Sequence, residues 1–240
     1  MRIPLLLMLL APVALADGPV VLSGGLPGSR ALVIALHGGS FSGRPPAERA
    51  ERLLLDLSSE SRATGLRLLV PVAPEADRRT AEVYRVPWLA PGGEGLVWAL
   101  VEQEVEARRA DARRIFLVGQ GAGATGALTL ASRRPELVAG VAAWSGTPEP
   151  LWDEQRRVIG LAEPVVAGLR TVPVFLFTAR DDPLLDRDTL RLFVEGLAAQ
   201  QKVAGGPGLT SVEGDGGHGF GSNGPGRGLR FLRDLRHGRQ

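Results

Sequence analysis

Two side chain types in the C-terminal half of the sequence are suited to proton transfer. His218 lies between two glycines, and the pair Asp181 and Asp182 precedes Pro183. An imidazole titrates near neutral pH, and a carboxylate beside it selects its tautomer and stabilises its protonated form. Taken singly, the aspartates are equally consistent with a turn or a helix cap, and the histidine with a solvated loop. If the fold brings them together, they form an acid–base couple.

A glycine-rich turn in the middle of the chain has the spacing that normally carries a nucleophile. Residues 115–131 (IFLVGQGAGATGALTLA) read as a buried strand, a tight turn and a helix. The turn fits the frame G-x-S-x-G, but Gly121 stands at its central position. Glycine has no oxygen to attack a substrate, so no acyl-enzyme can form there. Glycine also relieves a strained conformation that costs other residues about 1–3 kcal/mol, so we expect the turn to persist without its nucleophile.

A second glycine turn follows the first strongly apolar strand, in the stretch LHGGS of residues 36–40. Backbone N–H groups in such a turn can point into a cleft and act as one donor of an oxyanion hole. The alternative is a plain glycine turn in which His37 is a hydrogen-bonded core residue. The sequence leaves both interpretations open.

These stretches all come directly after strand-like segments, which alternate with helix-like segments from residue 31 onward. Near-continuous apolar strands separated by helices predict a mostly parallel sheet with helices on both faces. Ligands of such sheets bind at the carboxyl ends of the strands. The predicted strands are RALVIALHG, LRLLVPVAP, RIFLVG, VAGVAAWSG, TVPVFLFTARD and GLTSVEGDG. The predicted helices cover 46–63, 94–109, 122–133, 153–169, 186–204 and 226–237.

The order of these motifs resembles the α/β-hydrolase family over about residues 20–237. The likeness is greatest to small carboxylesterases and phospholipases, with some likeness to secreted polyhydroxybutyrate depolymerase-like esterases. The motifs that carry it are LHGGS (36–40), GQGAGA (119–124), VAAWSG (141–146), DDP (181–183) and GHG (217–219).

The resemblance implies an α/β-hydrolase fold and assigns roles to individual positions. It implies Asp182 as the acid, with Asp181 as the fallback, and His218 as the base. The oxyanion donors would be the N–H groups of Gly39 and Ala122. The departure from the family is Gly121 at the nucleophile position.

Other nucleophiles remain open at this stage. Ser40 and Ser42 lie beside the expected oxyanion turn, Ser145 matches a family serine that is not the nucleophile, and Thr125 should point into the core or bond back to its helix. A water activated by His218 could also attack. Two functions follow: a non-catalytic esterase-like protein that binds an ester or acyl-type ligand or a protein partner, or an active ester hydrolase with an atypical nucleophile. A third explanation is that Gly121 is an engineered or erroneous change in an ordinary esterase.

Composition excludes several other classes. The net charge is only +2, which gives no argument for nucleic acid. With no cysteine and three histidines we expect no disulfide, no metal and, since no phosphate-binding loop is present, no cofactor. The first 16 residues read as a signal peptide ending in Ala-Leu-Ala, which predicts a periplasmic or secreted single domain over 17–240 without a membrane span. The long loop over 73–93 could wall a pocket or be a surface excursion.

Overall fold

The computed structural model describes residues 19–39, 44–74, 86–155, 157–221 and 224–235. The predicted signal peptide, Ser40, Ser42 and most of the 73–93 loop lie outside the described residues. Nine strands are described: β1 Val21–Gly25, β2 Leu32–Leu36, β3 Arg67–Pro71, β4 Ile115–Gln120, β5 Gly140–Trp144, β6 Pro150–Trp152, β7 Val158–Leu161, β8 Val174–Ala179 and β9 Leu209–Gly214. The described helices are α1 Pro46–Ala63, α2 Pro91–Glu106, α3 Ala122–Arg133, α4 Val165–Gly168, α5 Arg187–Ala204 and α6 Gly226–Asp234.

Seven strands form one sheet in the order β1-β3-β2-β4-β5-β8-β9. In this sheet β3, β2, β4, β5, β8 and β9 are parallel to one another. At the edge, β1 pairs with β3 in the antiparallel sense. The predicted mostly parallel sheet is therefore confirmed. The edge strand β1 was not predicted, because its sequence VLSGG combines a serine and two glycines with only two apolar side chains.

The sheet has a hydrophobic core on each face, which explains why its inner strands are almost continuously apolar. Along β2, Leu32, Ile34 and Leu36 pack on one face, whereas Val33 and Ala35 pack on the other. Helices α2, α3, α4 and α5 contribute to the first core, and α1 and α6 to the second. Successive side chains of a strand point to opposite faces, so only a sheet covered on both sides requires such runs.

The two helices nearest the predicted chemistry have the predicted bounds, 46–63 and 122–133. The helix predicted over 153–169 is wrong, because β6 and β7 form a small antiparallel hairpin there and only the short α4 follows. Asp153 is the cause: its carboxylate accepts hydrogen bonds from the N–H groups of Gln155 and Arg157, at 3.0 and 2.8 Å. That local turn competes with a helix and reverses the chain.

Candidate active site

The carboxyl ends of the parallel strands meet around one cleft of about 560 Å³. The turn after β2, the turn after β4 and the loop after β9 all contribute to its wall, through Gly39, Gly121 and His218 among others. Volumes of 300–1,000 Å³ are usual for small-molecule sites, so the cleft is large enough for an organic ligand.

The turn between β4 and α3 has the geometry of a nucleophile elbow. Gly121 has φ +56° and ψ −123°, a conformation that L side chains rarely adopt, and its N–H donates to the Trp144 carbonyl at 2.9 Å. The flanking glycines are needed for close approach: a Cβ on Gly119 would lie 2.1 Å from the Gly123 carbonyl oxygen, and a Cβ on Gly123 would lie 1.9 Å from that of Leu36. The sequence frame thus encodes a tight strand–turn–helix corner, independently of what its central residue does.

Asp182 and His218 lie in contact, although they come from loops after different strands. His218 Nδ1 is 3.1 Å from both carboxylate oxygens of Asp182. The Asp182 side chain is fully buried and the His218 side chain is 31% exposed. An ionised carboxylate only accepts hydrogen bonds, so Nδ1 carries the proton and Nε2 is the free basic nitrogen of the neutral ring.

The basic nitrogen of His218 points at Gly121. A Cβ placed on residue 121 would lie 2.7 Å from His218 Nε2, closer than real Cβ atoms approach another heavy atom. The imidazole therefore sits against the glycine backbone, and a side chain at this position would displace it slightly. The arrangement brings three predicted site residues together: Asp182, His218 and Gly121.

Asp181 does not reach His218. Its Oδ1 accepts hydrogen bonds from the N–H groups of Gly216 and Gly217, both at 3.0 Å. The Gly217 bond is the main reason that the pKa of this carboxyl lies below its usual range. Asp181 thus anchors the loop that leads to His218, while Asp182 contacts the imidazole itself.

His37 is a neutral core residue that holds the first glycine turn. Its ring is buried, its Nε2 accepts a hydrogen bond from Ala73 N–H at 3.1 Å, and its Nδ1 donates to the Gly38 carbonyl at 2.9 Å. Trp88 Nε1 donates to the His37 carbonyl at 2.9 Å. Burial is the main cause that lowers the pKa of His37 to about 4, with a smaller contribution from Arg49. Of the two interpretations left open by the sequence, the hydrogen-bonded core histidine describes this side chain.

The two predicted oxyanion donors face the same cleft. Gly39 and Ala122 both line it, as Gly121 does. Ala122 is the first residue of α3, and the first N–H groups of a helix have no partner within the helix. Backbone donors at this point are available to a ligand oxygen.

Two hydroxyls near the cleft have structural partners. Ser145 Oγ lies 2.9 Å from both the N–H and the carbonyl oxygen of Gly219, so it accepts one hydrogen bond and donates the other. Thr125 Oγ1 donates to the Thr147 carbonyl at 2.6 Å, so of its two expected arrangements this buried hydroxyl does not bond back to its own helix. Ser145 therefore positions the residue that follows His218, a role that the sequence signalled only through its place at the end of a strand.

Solved structures establish the fold of the chain as that of the α/β-hydrolases. TT1662 from Thermus thermophilus is 23% identical, with a TM-score of 0.69, and the match covers 92% of this chain and 95% of that one. A phospholipase/carboxylesterase from Dyadobacter fermentans is 18% identical, with a TM-score of 0.57 and coverage of 88% and 96%. A sugar hydrolase from Lactococcus lactis is 16% identical, with a TM-score of 0.62 and coverage of 93% and 95%. No protein-family model and no curated protein matches the sequence.

The described residues contain neither a membrane-spanning helix nor a cluster of metal-binding side chains. None of the described helices has the length and apolarity needed to cross a bilayer. No group of three or more histidine, aspartate and glutamate side chains among these residues could hold a metal ion.

Proposed function

We propose that this protein is an exported, esterase-like α/β-hydrolase that binds carboxylic esters in the cleft beside His218 and has little or no serine-esterase activity. The observation that carries the proposal is the Asp182–His218 couple, whose basic nitrogen points at the backbone of Gly121. The names of structural neighbours, among them an esterase and a phospholipase/carboxylesterase, support an ester as the ligand.

The chemistry that remains follows from the groups present. The Gly39 and Ala122 N–H groups would bind the carbonyl oxygen of the ester, and His218 Nε2 would face the carbonyl carbon. Attack by residue 121 is the missing step, since glycine cannot form the acyl-enzyme. A site with oxyanion donors alone retains only about 10³–10⁴-fold catalysis over water.

The decisive experiment compares three forms of the mature chain on a short-chain 4-nitrophenyl ester: unaltered, Gly121→Ser and Gly121→Ala. The alanine variant is the matched control, because it adds the same Cβ against His218 and the same backbone strain without the hydroxyl. We expect Gly121→Ser alone to turn over, at least about 10²-fold faster than the other two. A fluorophosphonate should label residue 121 of this variant only, as mass spectrometry of the peptide would reveal.

Two results would contradict the proposal. Turnover by the unaltered chain that His218→Ala abolishes would mean that Gly121 does not disable the site. No turnover by a folded Gly121→Ser variant would mean that the acid, the base and the oxyanion donors are not arranged for acyl transfer. Export is tested separately. If the full chain is expressed in a bacterial host, the exported protein should begin at Asp17.

A further inference from the structure

One wall of the cleft is formed by the start of α1 and is rich in arginine. Arg49, Arg52 and Leu53 from this helix line the cleft, together with Arg44 just before it. The N-terminus of this helix, at Pro46, has no side-chain cap. Its partial positive charge adds to that of the arginines.

The three arginines differ in how their charges are matched. Arg52 is exposed and forms an ion pair with Asp56 at 3.2 Å, and Arg44 has a partner of its own. Arg49 is half-buried, and its Nε and Nη1 are shielded from solvent without any hydrogen-bond partner. Within the part of the chain that the structure describes, no carboxylate forms an ion pair with it.

Such a guanidinium is costly to keep in a folded protein. Arginine remains charged even when burial lowers its pKa, as it does for Arg49. Two shielded donors without acceptors each lose hydration that nothing replaces. Arg49 also lies close enough to His37 for its charge to lower the pKa of that residue, and it lines the same cleft as Gly38 and Gly39. A ligand anion that entered the cleft beside this turn would supply the missing counter-charge.

We propose that Arg49 binds a carboxylate carried by the ester, so that the cleft prefers half-esters of dicarboxylic acids to neutral esters. The inference rests on the ester-binding function proposed above and adds its substrate class. One unmatched positive charge calls for a singly charged group. Because Nε and Nη1 are shielded from solvent, the carboxylate would contact the guanidinium through its remaining nitrogen, Nη2.

Other groups in the cleft sharpen the selection. Glu149 and Asp186 also line it, and their negative charge disfavours a ligand with several negative charges. Leu53, Val86 and Leu184 supply apolar wall for the chain between the two carbonyl groups. A small half-ester with one charge fits both conditions.

The test uses the unaltered chain, in which Gly121 keeps the ester from being consumed. Calorimetry would compare monoethyl succinate and monoethyl adipate with diethyl succinate, their neutral counterpart, at low salt. We expect at least one half-ester to bind about tenfold or more tightly than the diester, as a charge-assisted hydrogen bond should provide. In Arg49→Gln the half-ester should lose that advantage while diester binding stays the same.

The matched control is Arg52→Gln, which removes the same charge from the same face of α1 but from an exposed, paired side chain. We expect it to change half-ester binding less than about threefold, through screened long-range attraction only. Arg49→Lys keeps a charge and serves if the glutamine variant does not fold; it should retain a reduced preference for the half-ester.

The outcomes separate the two proposals. If both half-esters bind no better than the diester, or if Arg49→Gln weakens all three ligands equally, the carboxylate subsite is wrong while ester binding stands. If none of the three esters binds to the unaltered chain, the ester-binding function itself fails. Equal losses in Arg49→Gln and Arg52→Gln would reduce the effect to general electrostatic attraction and also overturn the subsite.

Discussion

Two carboxylates are buried at opposite ends of the central sheet, and they have partners of different kinds. At the carboxyl ends of the strands, Asp182 contacts the imidazole of His218. At the amino ends, Glu104 of α2 binds Arg67, the first residue of β3, at 2.5 Å and Arg109 at 2.8 Å. Burial alone would raise the pKa of Glu104, but the hydrogen bonds from Arg109 and Arg67 outweigh it and lower the pKa.

The partner of a buried carboxylate distinguishes a structural role from a chemical one. Arginine stays protonated, so the Glu104 cluster keeps its charges at any ordinary pH and ties α2 to the sheet. An imidazole can accept and release a proton during a reaction, and the partly exposed ring of His218 lines the cleft, where a ligand can reach it. A buried acid paired with histidine at a cleft is therefore informative about function, whereas one paired with two arginines is informative about folding.

The largest expected effect is on turnover at the cleft end. In a chain that carries Gly121→Ser, the further change Asp182→Asn should lower kcat by about 10⁴-fold, because the amide favours the wrong imidazole tautomer. Asp181→Asn is the control, since that carboxylate bonds the Gly216 and Gly217 N–H groups instead. A comparable loss in the control would show that the acid has been assigned to the wrong aspartate.

The next effect is on stability at the opposite end. Glu104→Gln should lower the free energy of unfolding by about 3 kcal/mol, because Arg67 and Arg109 lose their counter-charge in a partly buried site. Glu102→Gln on the same helix should change it by less than about 0.5 kcal/mol, since its pair with Arg134 is exposed and 3.7 Å long. Urea unfolding measures both, and equal losses would remove the distinction.

Acid should weaken the cleft end before the opposite end. The folded-state pKa of His37 is about 4, below its unfolded value of 6.5, so the unfolded chain binds more protons between these pH values. Stability that is present above pH 6.5 should therefore fall by about 2 kcal/mol between pH 7 and pH 5. The lowered pKa of Glu104 costs stability only below its ordinary value of 4.5.

Unfolding at pH 7 and pH 5 measures this dependence, and His37→Gln is the comparison. That variant has no imidazole at position 37, so most of the pH dependence in this window should disappear. An unchanged pH dependence would mean that His37 does not stay neutral in the folded protein.

The smallest effect concerns the loop that holds His218. Ser145→Ala should lower the free energy of unfolding by about 1–2 kcal/mol, because the buried N–H and carbonyl of Gly219 lose their shared partner. In the Gly121→Ser chain it should reduce kcat by about tenfold with little change in KM, as expected of a positioning residue. The exposed Ser211→Ala should leave both unchanged, and a kcat that does not respond to Ser145→Ala would make the contact purely structural.

Much of the fold was readable from local patterns. The near-continuous apolar strands indicated a sheet covered on both faces, and α1 and α3 have the predicted bounds. The edge strand β1 and the segment 153–169 were not predicted correctly, and in the latter a single side chain, Asp153, forms a turn by accepting hydrogen bonds from two backbone N–H groups. The spacing of apolar residues cannot show whether a helix or this turn forms, because the outcome depends on which hydrogen bonds one side chain makes.

In the candidate site, too, some features follow from the sequence and others depend on the tertiary structure. The frame Gly119-Gly121-Gly123 determined a tight turn from sequence alone, because steric limits on backbone and close approach act over a few residues. Its missing oxygen is equally a property of the sequence. The resemblance had already assigned the acid to Asp182, and the structure brings that carboxylate to His218. Only the tertiary structure decided that His37 belongs to the core and that, among the described residues, Nε and Nη1 of Arg49 are shielded without a hydrogen-bond partner. Those outcomes depend on which distant groups become neighbours and which are removed from water, and no pattern along the chain contains that information.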